Sequence, residues 1–213
     1  MLRLENVSFS YGDKAVLQNF SLTVHDGECV AIKGPSGCGK TTVIRLLAGL
    51  CAPNSGTVIA PERVGVVFQE DRLLPFASIK RNLFLTSPDG GRQNAMQLLR
   101  DMGLGSEADT AVRHLSGGMK RRVAIVRALA FGGEALLLDE PFNGLDAENR
   151  RTAAGLILKT AAENRMPVLI SSHIDEDAAL LKARVFKFKK NRLTNRQLSC
   201  KILNVADAAI QNV

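Results

Sequence analysis

One octapeptide restricts the possible folds of this chain more than any other feature: Gly34-Pro35-Ser36-Gly37-Cys38-Gly39-Lys40-Thr41. It fits the pattern G-x-x-x-x-G-K-[ST] in full. An apolar stretch, Cys29-Val30-Ala31-Ile32, precedes it, and a helical stretch from Thr42 to Leu50 follows. A polyphosphate must be held by many donors without steric obstruction. Glycines let backbone N–H groups turn inward around the phosphates. The N-terminus of the following helix adds partial positive charge. Lys40 is placed to meet the β- and γ-phosphates, and the Thr41 hydroxyl, with Thr42 beside it, to ligate Mg²⁺. A strand, a glycine-rich turn and a helix in that order are the context in which this pattern holds phosphate.

A second segment has matching chemistry. Ala135-Leu136-Leu137-Leu138 is an apolar strand ending in Asp139-Glu140. Asp139 could hold Mg²⁺ through a water, and Glu140 could polarise an attacking water. Alone, an apolar strand followed by two acids is commonplace. Beside a phosphate loop it completes a nucleoside-triphosphatase site.

The rest of the chain agrees with a parallel sheet. Leu2, Leu4 and Val7 begin an alternating series, and Val16 to Val24 forms a second run after a turn at Gly12-Asp13. A strand pair is expected at Gly56–Ile59 and Val64–Phe68. From Glu70 to about His114 strand signals give way to short helical patterns. A helix is expected at about Gly118–Ala130, then helices at about Ala147–Asn164 and Asp175–Leu181, with strands at Val168–Ser171 and Val185–Phe188 between and after them. Strands alternating with helices imply a mostly parallel sheet covered on both faces. The formal charge of +7 and pI of about 9.5 favour anionic partners without choosing among them. The clusters Lys120-Arg121-Arg122 and Lys182 to Lys201 read as solvated basic faces. The cysteines Cys29, Cys38, Cys51 and Cys200 show no C-x-x-C spacing, and the first residues alternate like a strand rather than a secretory apolar run. Free thiols in a cytosolic compartment are therefore expected. No apolar run reaches the ~18 residues needed to span a bilayer.

A third segment decides the resemblance. Leu115-Ser116-Gly117-Gly118-Met119-Lys120-Arg121-Arg122-Val123-Ala124-Ile125 resembles the signature motif of ABC ATPases and its following helix. The likeness runs from Leu2 to about Lys189. It implies a phosphate-loop NTPase fold of ABC type: an α/β domain with a mostly parallel core sheet flanked by helices, an N-terminal antiparallel β subdomain and an inserted α-helical subdomain. The chain then divides into a catalytic core (1–69 and 115–190), a helical insertion (about 70–114) and a C-terminal tail (191–213). Residue by residue, the resemblance implies that Tyr11 stacks on adenine and that Gln69 ligates Mg²⁺ and senses the γ-phosphate. It implies that His173 is the γ-phosphate switch and that Asp146 lies across a dimer interface. Ser116, Gly117 and Gly118 would cap the ATP of a partner subunit, giving a head-to-tail homodimer or pseudo-dimer. Two departures stand out: Met119 replaces the signature's usual glutamine, and Asn143 replaces a frequent serine.

The implied activity is ATP hydrolysis with Mg²⁺, coupled to membrane transport through separate permease subunits and a solute-binding protein. The chain itself would sit peripherally on the cytoplasmic face. The run Phe68-Gln69-Glu70-Asp71-Arg72-Leu73-Leu74-Pro75 resembles importers of nitrate, sulfonates or thiamine-like compounds. An ABC ATPase serving cell division or lipoprotein release stays open. A nucleic-acid-associated ABC ATPase is disfavoured, because no second cassette, coiled coil or zinc insertion is visible.

Overall fold

Alternating burial of Leu2, Leu4, Val7 and Phe9 builds β1 (Leu2–Tyr11). It pairs antiparallel with β2 (Lys14–Val24) through a hairpin closed at Gly12-Asp13, with Tyr11 opposite Lys14. Asn6 and Asn19 both adopt φ of 48°, and the register shifts between Leu4 and Val7. That irregularity keeps Val7 and Phe9 on the buried face after the extra residues. The structure is a computed structural model, and it describes residues 1–88 and 91–188.

β3 (Cys29–Lys33) leads into the glycine loop and α1 (Lys40–Leu47). β4 (Ser55–Ile59) and β5 (Val64–Val67) follow. The sequence suggested that these two pair; they do not. β4 lies antiparallel on β1, with Arg3 opposite Ile59, whereas β5 runs parallel beside β6 (Ala135–Asp139), with Val64 opposite Ala135. The pattern of β4 is mostly exposed and that of β5 alternates buried. Each strand therefore goes to the sheet that its burial pattern fits, and Pro61 lies in the link between them.

α2 (Ile79–Phe84), α3 (Arg92–Asp101) and single 3₁₀ turns at Gly105–Glu107 and Val112–His114 precede α4 (Gly117–Ala130). α5 (Ala147–Glu163), β7 (Val168–Ser171), α6 (Asp175–Leu180) and β8 (Arg184–Lys187) complete the described chain. The sheets are ordered β2-β1-β4 and β5-β6-β7-β3-β8, the second with parallel pairing throughout. Its central strands β3, β6 and β7 are buried on both faces, which is why they read as unbroken apolar runs, while the edge strands β5 and β8 are only partly covered. Ala31, Leu136, Leu138, Val168 and Ile170 face one cluster with α4 and α5. Val30, Ile32, Ala135, Leu137 and Leu169 face another with α1 and the antiparallel sheet. The tail 191–213, Cys200 and the basic residues from position 189 onward lie outside the described residues.

Candidate active site

Parallel register brings the distant motifs to one edge. Val67 stands opposite Leu138, Asp139 opposite Ser171, and Ser171 opposite Ile32. The strands therefore end almost in one row, and the residues just beyond are Gln69, Glu140, His173 and Gly34. Neighbouring strands lie ~4.8 Å apart, so Asp139 and Ile32 are about 10 Å apart across β7. This edge holds the carboxyl ends of the strands, where parallel α/β sheets bind ligands.

The glycine loop leaves β3 and re-enters α1 at Gly39, whose φ of +106° only glycine adopts without strain. Gly37 is also left-handed, at φ +77°. A Cβ on Gly34 would lie 2.7 Å from Cys38 Sγ and 2.9 Å from Phe188 Cβ. Lys40 is buried; its Nζ donates to the carbonyls of Gly34 (2.8 Å) and Pro35 (3.2 Å), which holds the ammonium inside the loop. Pro35 and Ser36 are exposed, Thr41 is half-buried and Thr42 is buried. Tyr11, Val16, Gly37, Gly39, Lys40, Thr41 and Thr42 line a cleft of about 220 Å³. Tyr11 is half exposed there, with its edge-to-face partner Phe9 at 4.8 Å and its hydroxyl accepting from Arg45 at 3.2 Å. The ring presents an aromatic wall beside the loop.

Asp139 is buried, and its carboxylate accepts from Ser171 Oγ at 2.5 Å. Glu140 adopts φ of +49°, rare for this residue type. Its N–H is shared between the backbone carbonyl and hydroxyl of Ser171, both at 3.1 Å. Its Oε2 lies 2.9 Å from His173 Nδ1. Two residues further, Asp175 pairs with the buried Lys33 at the end of β3, and that hydrogen bond holds its carboxyl below the usual range. Ser172 donates to buried Asp177 at 2.5 Å, and Asp177 meets Arg150 of α5 at 3.5 Å. Ser171, Ser172, Lys33 and Asp177 thus brace the His173 loop, and sequence reading singled out none of them.

Ser116 caps α4, its hydroxyl accepting from Met119 N at 3.2 Å. Gly117 and Gly118 form the first turn, and a Cβ on Gly118 would approach Gly144 O at 3.4 Å. Met119, where the family usually has glutamine, packs partly buried against the larger core. Asp146 caps α5, accepting from Asn149 N (2.8 Å) and Nδ2 (2.7 Å); those bonds hold its carboxyl below the usual range. Gln69 is exposed at the loop edge. One expectation fails: Lys120-Arg121-Arg122 is not a solvated face. Arg121 is 4% exposed, and half-buried Arg122 donates to the Met102 carbonyl at 3.0 Å. A signal was present, since Arg121 shares a helix face with Ala124, Ile125 and Ala128, all buried. Asn82 was also missed; buried on α2, it bonds both backbone groups of Leu74 at 2.7 and 3.2 Å. Among the described cysteines Cys29, Cys38 and Cys51 are free, and burial pushes the Cys29 thiol up to about 12.

A parallel sheet that delivers a glycine loop with its lysine and an acidic strand end to one edge defines a phosphate-loop nucleoside triphosphatase. The ABC transporter family profile matches residues 17–143. An aliphatic sulfonates import ATP-binding protein of Paraburkholderia xenovorans is 42% identical over 184 residues, covering 86% of this chain and 74% of that protein. The corresponding protein of Granulibacter bethesdensis is 41% identical over 194 residues, covering 91% and 82%. A solved dimeric ATP-binding cassette in a post-hydrolysis state, bound to ADP and phosphate, superposes with a TM-score of 0.79 at 27% identity, covering 93% of this chain and all of that one. The chain belongs to the ABC transporter family, as one of its ATP-binding, ATP-hydrolysing subunits.

Proposed function

We propose that this chain is the motor subunit of an importer for a small organic anion of the sulfonate class, working as a head-to-tail pair that closes on ATP. The shared row of strand ends carries this reading, with Glu140 hydrogen-bonded to His173 at 2.9 Å beside the phosphate loop. The sulfonate class comes from the names of the relatives, and the import arrangement from the same source.

The loop fits a nucleotide polyphosphate. Its glycines are left-handed or closely packed, its lysine points inward, and an aromatic wall borders the adjoining cleft. Lys40 meets the terminal phosphates, where its charge offsets that developing on the transferred group. Tyr11 stacks on the base. The oxygen donors Thr41, Asp139 and Gln69 suit Mg²⁺, a hard cation. When bound, that ion supplies Lewis-acid charge to the phosphate oxygens. Glu140 accepts a hydrogen bond from the attacking water and orients it. His173, now on Glu140, is the switch that meets the γ-phosphate. Ser116, Gly117 and Gly118 at the start of α4 form the donor surface that covers the partner copy's nucleotide, and Asp146 lies at the same interface.

The helical stretch of about 70–114 is the docking subdomain. It exposes the apolar side chains of Phe76 (81%), Leu85 (60%) and Leu74 (50%), which are available to permease subunits. No helix among the described residues is long and apolar enough to cross a membrane. In this reading attachment runs through the permease subunits, on the cytoplasmic face. A separate solute-binding protein selects the cargo.

Light scattering with Mg-ATP tests the pairing. Glu140→Gln keeps ATP binding and slows hydrolysis, so the variant accumulates as a dimer while the unaltered chain dimerises transiently. A variant that binds ATP yet stays monomeric refutes the composite site.

A further inference from the structure

The most heavily bonded side chain near the site is one that touches no reacting atom. Arg121 projects from α4 and is 4% exposed. Its Nε donates to the Pro141 carbonyl at 2.9 Å. Its Nη2 donates to the carbonyls of Asp139 (2.8 Å) and Glu140 (2.7 Å). Its Nη1 donates to the Phe68 carbonyl at 2.5 Å and meets Asp71 Oδ1 at 3.1 Å, with the Gln69 carbonyl at 3.5 Å. The planar fork therefore divides its work. One edge holds the chain that carries Glu140, and the remaining nitrogen holds the chain that carries Gln69.

Glu140 needs such support. A left-handed φ in a non-glycine residue is strained and persists where the surroundings over-determine it. Ser171 fixes the N–H of Glu140, and Arg121 fixes its carbonyl. The second loop is fastened again about one and two-thirds turns along α4, where Arg127 donates to the carbonyls of Arg72 (2.6 Å) and Asp71 (2.8 Å). The Arg72 guanidinium in turn lies 3.8 Å over the Phe68 ring. Segment 68–72 and the Glu140 peptide thus share one supporting helix, α4, which Ser116 caps.

We propose that Arg121 is a positioning residue that aligns the Glu140 carboxylate only while segment 68–71 is seated on α4, so that disturbing that segment switches hydrolysis off without releasing ATP. This rests on Glu140 as the residue that orients water. Lysine keeps the charge but offers one nitrogen in place of three, so it cannot serve both loops.

Arg121→Lys, Arg121→Gln and Glu140→Gln are compared by ATPase kinetics, ATP titration and thermal unfolding. In the Arg121 variants kcat is expected to fall about tenfold, with ATP affinity within about twofold. A purely structural role would lower the melting temperature and leave kcat per ATP-binding molecule unchanged, and that result overturns the proposal. If Glu140→Gln is inactive while both Arg121 variants turn over at the unaltered rate, only the role of Arg121 falls. If Glu140→Gln hydrolyses ATP normally, the reading of Glu140 falls and takes the proposal with it. Hydrogen exchange on the unaltered chain needs no variant: segments 69–72 and 140–143 are expected to lose protection together as urea rises. Loss in one with the other intact also overturns the proposal.

Discussion

Removing one oxygen atom, by Ser171→Ala, tests the physical account of the acidic strand end. Ser171 is fully buried, and its hydroxyl makes two contacts with the neighbouring strand end. It donates to the Asp139 carboxylate at 2.5 Å and accepts from Glu140 N at 3.1 Å. A hydrogen bond to a charged group contributes ~1.5–3 kcal/mol. The second bond contributes less, because Glu140 N also reaches the Ser171 carbonyl at 3.1 Å. The site is shut off from bulk water, so solvent does not replace the lost donor. A total of about 2–3 kcal/mol follows. At ~2–4 °C per kcal/mol for a chain of this size, the melting temperature should drop by about 4–12 °C. Urea and thermal unfolding read the loss. A double-mutant cycle with Asp139→Asn isolates the pair, with a coupling of about 1–2 kcal/mol expected for groups in direct contact. A loss below about 0.5 kcal/mol, or no coupling, would refute the assignment of this hydroxyl as the anchor of Asp139.

Gly34→Ala places a methyl 2.7 Å from Cys38 Sγ and 2.9 Å from Phe188 Cβ, so the loop must shift. ATP affinity should fall at least about tenfold, with ~1–3 kcal/mol lost in stability; a titration showing unchanged affinity would contradict the packing. Arg184 donates to Glu28 at 2.5 Å and to the Thr23 carbonyl at 2.9 Å. Burial pushes the Glu28 carboxyl up, but the Arg184 hydrogen bond, the His25 N–H and the charge of Arg184 together outweigh it and hold the group below the usual range. A lowered carboxyl stabilises the fold above its unfolded value and loses that contribution as pH falls through the folded one. Arg184→Met should therefore cost ~1 kcal/mol at neutral pH, the carboxylate-dependent part fading below about pH 4. A pH-independent difference in unfolding midpoint would argue against the pair.

The contiguous elements of the site were legible along the chain, because a phosphate loop does its chemistry within eight neighbouring residues. The same holds for Asp139-Glu140 and for Ser116-Gly117-Gly118. Helices and strands between them fell close to their expected spans, since burial on both faces leaves an apolar run that needs no partner to be read. The pairing of β4 did not emerge, because two short apolar strands in sequence look alike whether they join one sheet or two. Arg121 was misread for a related reason. A basic triplet is usually solvated, and only the spacing to Ala124, Ile125 and Ala128 hinted that its middle member turns inward.

Local order along the chain thus dictates which groups are present, while packing dictates what each one touches. Gln69, Glu140, His173 and Gly34 are far apart in sequence, and only the order β5-β6-β7-β3 makes them neighbours. Ser171, Asp177 and Arg121 acquire their work from burial alone: out of water, each polar group must find a partner within the protein. The partners available are the backbones of the active loops. No spacing along a chain encodes that choice, because it depends on which carbonyls the folded sheet and helices leave unpaired at one edge.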